Sequence, residues 1–169
     1  KHHNNTLNIT AKNVMYYTPG SGFTLVFNDL LRQMMVLQCT PGNEMHDKWM
    51  IRGAACFGKI VYDPRSTARH IRYENSVTAE DAGNTNLLIH FVKDELLSDT
   101  AIKAKEYLKY YYDVFSEKMS KSDRETMEVF IKEPAGFFGW LRKVLYPHRL
   151  RMRLSGELAL RFLFLLGKI

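Results

Sequence analysis

The apolar positions of the chain change rhythm along its length. Phe23-Thr24-Leu25-Val26-Phe27 is a continuous apolar run with one Thr, and it follows the turn residues Thr18-Pro19-Gly20-Ser21-Gly22. Such a run predicts a strand buried on both faces. Asn28 then reads as an N-cap, with Asp29 in the first turn of a helix over 29–38. Leu30, Leu31, Met34, Met35 and Leu37 fall mostly on one side of it. A second helix is predicted from near Asp47 to about Phe57, with Ile51, Ala54 and Ala55 at helical spacing and Gly58 placed to end it. Lys59–Tyr62 reads as the next strand, closed by Asp63-Pro64. Val14–Tyr17 has the look of a further short strand, and residues 1–13 read as a polar leader, frayed or an edge segment.

Beyond Tyr62 the pattern turns polar and then helical. Residues 65–86 read as a loop. Helices are expected over roughly 86–97 and over about 100–118, the latter capped by Asp99. Another starts at Ser122-Asp123-Arg124-Glu125, which has the capping-box spacing. Helical periodicity resumes near Ala135, breaks near Pro147 and runs to Leu166. The expected fold is therefore α/β: a small group of strands packed by helices over residues 1–85, then a helical region over 86–169 with a basic amphipathic tail.

Charge sharpens the view of the tail. Between Trp140 and Ile169 stand seven Lys or Arg and the single acid Glu157, a surplus that equals the whole net charge of +6. Acids and bases cancel elsewhere. A local cationic patch favours a localised anionic partner such as a membrane surface over a generally basic protein, and no nucleic-acid partner is expected. Arg149, Arg151 and Arg153 beside Leu158–Leu166 suit an interfacial helix, and the apolar run is too short to span a bilayer of about 30 Å. The two cysteines, Cys39 and Cys56, lack metal-ligand spacing and read as reduced core thiols. Lys1–Asn5 is polar and lacks the apolar core of a secretory signal. The expected location is cytoplasmic, peripheral on the inner face of the membrane.

Four features are candidates for chemistry. Asp47 at a helix start has its charged form stabilised by the free amides, and reads either as a simple first-turn acid or as a working carboxylate. His46 can bond a phosphate or a sugar hydroxyl, or be a loop histidine. Trp49 can stack on a sugar ring or pack in the core. Arg65, Arg69 and Arg72 form either an anion clamp or a solvated loop. Tyr107, Tyr110, Tyr111 and Tyr112 read as packing. The Gly20-Ser21-Gly22 turn lacks the pattern of a nucleotide P-loop.

The segment from about Pro19 to Asn75 resembles the C-terminal half of the catalytic domain of family 2 glycosyltransferases, in particular a bacterial rhamnosyltransferase-like group. The resemblance lies in Gly22-Phe23-Thr24-Leu25-Val26-Phe27-Asn28, in His46-Asp47-Lys48-Trp49, and in Phe57-Gly58-Lys59-Ile60-Val61-Tyr62, in that order. The family's next motif, Tyr-Arg-x-His-x-x-Asn, is met only in part: Asn75 matches, the Tyr is missing, and Arg72 stands about where the His belongs. The resemblance implies a partial GT-A-type sheet. It makes Asp47 the base of an inverting transfer from a nucleotide-sugar donor to a polysaccharide or lipid-linked acceptor. It gives His46, Trp49, Gly22, Thr24, Arg72 and Asn75 contacts to substrate. It also implies Mg²⁺ or Mn²⁺ on the donor diphosphate, held by an Asp-x-Asp motif in an N-terminal half that this chain lacks. On that reading the chain is a piece of the enzyme and is inactive alone. The competing reading is a non-catalytic helical module that docks on a membrane or a protein through its basic tail.

Overall fold

A computed structural model describes residues 9–20, 22–36, 44–63, 65, 100–151 and 154–169. Six α-helices are found there: α1 (Asp29–Val36), α2 (His46–Phe57), α3 (Thr100–Phe115), α4 (Lys121–Ile131), α5 (Gly136–Val144) and α6 (Leu154–Leu165). No strand or sheet occurs among the described residues. The expected α/β architecture with a partial GT-A sheet is thus corrected to a helical one.

The correction has a local cause at each predicted strand. Gly22–Thr24 is a single 3-10 turn, and residues 25–28 continue without regular structure. Val26 is fully exposed, and Phe23 and Phe27 are open to solvent as well. Lys59–Tyr62 is likewise irregular, with Val61 and Tyr62 exposed. An apolar run marks a preference for burial, but a strand exists only where a neighbour takes its N–H and C=O groups. Val14–Tyr17 is no strand either. It is a buried irregular segment: Val14, Met15 and Tyr16 are core residues, and Ala11 joins them. The leader is anchored there by the Tyr146 hydroxyl, which donates to the Lys12 carbonyl at 2.9 Å.

The helices form where capping and periodicity agree. Asn28 Oδ1 accepts from Leu31 N at 3.0 Å and starts α1. Gly58 N closes α2 on the Ala54 carbonyl at 3.0 Å. α4 begins one residue before the predicted box, and its N-cap is Ser120, accepting from Asp123 N at 3.1 Å. α3 stops at Phe115, short of the expected 118. α6 ends in a Schellman pair, Lys168 N to Leu163 O and Gly167 N to Phe164 O, with Gly167 at φ 64°. The predicted helix over 86–97 lies outside the described residues, as does the proposed domain boundary near residue 85.

One core joins these elements. Trp49 of α2 meets Tyr111 edge-on at 5.1 Å and Phe115 at 5.5 Å, both on α3. Phe130 of α4 packs on Phe164 of α6 at 5.7 Å, and Tyr16 meets both rings edge-on at 5.8 Å. Between α1 and α2 the approach is close: a Cβ on Gly53 would run into the Met35 side chain. Any side chain at position 53 would have to push the buried Met35 side chain aside.

Candidate functional site

Position 46 begins α2, so His46 and Asp47 occupy its first turn, where the backbone N–H groups have no helical partner. No side chain caps this end, since the N-cap is Met45. Asp47 is half-buried, and its Oδ1 accepts from Lys48 N at 2.8 Å. Among the described residues its other oxygen meets no donor and can receive a proton from an incoming hydroxyl.

Gly22 faces this helix start across the chain. A Cβ at Gly22 would stand 2.5 Å from His46 Nε2 and 3.2 Å from Cε1, so the imidazole rests on the bare glycine. The 3-10 turn and the start of α2 are therefore one locus. Thr24 ends that turn with its side chain exposed, and its Oγ1 lies toward Gly20. The structure thus brings Gly22 and His46 together, with Thr24 two residues on along the turn and Asp47 next along the helix.

Trp49 does not belong to that group. It is 2 % exposed and enclosed by Tyr110, Tyr111 and Phe115, and its Nε1 donates to the Met35 carbonyl at 3.3 Å. No open indole face is left for a sugar, so the stacking role expected for Trp49 is corrected to core packing and fixation of α2 on α1. Arg72, Asn75 and Arg69 lie outside the described residues. Arg65 closes on Asp63 at 2.7 Å on the surface, and this pairing holds the Asp63 carboxyl below its ordinary range.

The support beneath α2 was not visible in the sequence. Arg52 and Glu44 form an ion pair with side chains only 4 % and 1 % exposed, and Arg52 Nη2 also donates to the Met15 carbonyl at 3.3 Å. The pair ties α2 to the residue before its N-cap and to the buried leader. The one available cue was an arginine among the small and apolar residues of α2. On the same helix Cys56 is a free thiol, pushed up to about 12 by burial and, less, by the charge of Asp123. It is a packing thiol rather than a nucleophile.

No group of three or more His, Cys, Asp or Glu side chains among the described residues could hold a metal ion. A separate open cleft of about 370 Å³ lies between Lys12, the N-terminal half of α4 and Arg142–His148, and none of the predicted site residues line it. No helix among the described residues is long and apolar enough to cross a membrane. No protein-family model matches the chain, no curated protein matches it, and no solved structure matches it.

Proposed function

We propose that this chain is the base-bearing portion of an inverting glycosyltransferase of the family 2 type. The observation that carries the reading is the meeting of two separated motifs. Gly22, from Gly-Phe-Thr-Leu-Val-Phe-Asn, lies against His46 of His-Asp-Lys-Trp, and this sets Asp47 at the edge of the same locus. In the reaction Asp47 takes the proton of an acceptor hydroxyl. The freed oxygen pair attacks the anomeric carbon of a nucleotide sugar, and the bond to the nucleoside diphosphate breaks with its electrons. His46, exposed beside the turn, suits a hydrogen bond to a sugar hydroxyl or a donor phosphate. The base gains its effect from position, held by a helix that Arg52–Glu44 and Trp49 lock from below.

Donor diphosphate is the part of the substrate for which the described residues offer no holder. The open apolar side chains around the locus, Phe23, Val26 and Phe27 on one side and Val61 and Tyr62 on the other, suit cover by a donor-binding unit. The test is calorimetric titration of the full gene product containing this chain with a panel of nucleotide sugars. Saturable binding of one of them supports the reading. A full product that binds none of them overturns it.

A further inference from the structure

Helix α6 is apolar on both sides. Leu160, Leu163 and Phe164 are buried in the core. Its only charged residues, Glu157 and Arg161, are turned inward and spent. Glu157 accepts from Leu150 N at 2.8 Å and Arg151 N at 2.7 Å, while Arg161 bonds Glu157, the Val144 carbonyl and the His148 carbonyl. What remains outward is Leu154, Leu158, Phe162 and Leu165, at 66 %, 61 %, 43 % and 48 % exposure. At 100° per residue these four fall on one narrow stripe.

Helix α5 extends the stripe. Trp140 Nε1 donates to the Phe164 carbonyl at 3.0 Å, and Arg161 reaches back to Val144 at 2.7 Å. The two helices therefore run in opposite directions, and the start of α5 lies at the end of α6. Phe137 and Phe138, 65 % and 82 % exposed, stand there with Leu166. A soluble surface rarely leaves so continuous an apolar face open.

The charge around the face identifies its occupant. From Gly136 to Ile169 the only acid is Glu157, paired with Arg161, and Glu133 just before α5 pairs with Lys105; Arg142, Arg149 and Lys168 lie at the surface. A second copy docked face to face would set these cations against their own kind. At 12 residues α6 is about 18 Å long, too short to span a bilayer and long enough to lie in its surface. We propose that the outer face of α5 and α6 seats in the headgroup layer of an anionic membrane, with Phe137, Phe138, Leu158 and Phe162 inserted and the cations on the phosphates. This inference stands independently of the transferase reading.

Co-sedimentation tests it, with vesicles of phosphatidylcholine alone and vesicles in which a third of the lipid is phosphatidylglycerol. The chain should bind the second kind at low salt and the first weakly. Each cation removed near such a surface weakens binding about fivefold, so Arg142→Gln with Arg149→Gln should lose about thirtyfold. Phe138→Ser with Leu158→Ser should lose about tenfold or more at unchanged charge. Both residues are exposed, and circular dichroism should show an unaltered helix content. Lys109→Gln with Lys121→Gln, on α3 and α4, should bind as the wild type does. The proposal is overturned if the wild type ignores anionic vesicles, if the Lys109/Lys121 variant loses as much as the Arg142/Arg149 one, or if ultracentrifugation shows a dimer that Phe138→Ser dissolves in a chain that binds no vesicle.

Discussion

The imidazole of His46 lies on Gly22, with Nε2 only 2.5 Å from where a Cβ would stand. Two motifs separated by more than twenty residues meet in that contact. Gly22→Ala must therefore displace the ring. The ring end is the mobile part of an exposed side chain, so the melting midpoint should change by no more than about 2 °C. In the full gene product the cost should fall on acceptor or donor KM more than on kcat, as measured by steady-state kinetics. His46→Ala should reproduce that split and make Gly22→Ala silent in its background.

The Arg52–Glu44 pair makes a stability prediction. Glu44→Ala leaves a buried guanidinium without its partner and should cost about 3–5 kcal/mol in denaturant unfolding. The double replacement Glu44→Leu with Arg52→Met should recover most of that loss, because the desolvation cost of both charges disappears.

These residues also show how far the sequence could be read. Helices α1 and α2 were legible because periodicity, the Asn28 cap and Gly58 are local signals. The strands were misread because the same apolar run at 23–27 serves a buried strand or an exposed coil, and the deciding partner is not local. Trp49 reads as either a sugar platform or a core residue, because its flat ring suits both and it stands in the His46-Asp47-Lys48-Trp49 stretch. On a helix the spacing of Asp47 and Trp49 points the two side chains to different faces, and the indole faces α3. The buried Glu44 gives no sign of itself in a polar stretch. The outward stripe of α6 was half legible: the apolar residues and the basic excess were evident, but not that Glu157 and Arg161 consume each other.

Lys143 carries a pH signature. Its side chain is buried against the Phe164 ring, with the ammonium 5.5 Å from the centroid. Burial first, then the charge of Lys105, lowers it from 10.5 to about 8, against an opposing pull from Glu133. Between those values the unfolded chain binds the proton and the folded chain does not, so stability rises with pH from about 8 toward 10. Above about 10 the buried Tyr16 and Tyr111, both held protonated by burial, reverse the trend. Lys143→Met should flatten the rise and lift stability at pH 7 by about 2–3 kcal/mol, seen as a midpoint increase of about 5 °C in thermal scans.

The most direct measurement is the transfer rate of the full gene product with Asp47→Asn, read as nucleoside diphosphate released in the presence of acceptor. The substitution keeps shape and the hydrogen bond from Lys48 N while removing the basic oxygen. Asp47 as the base predicts that kcat falls by about two orders of magnitude or more, with donor affinity retained. A variant that turns over at the wild-type rate would contradict the assignment and the function built on it.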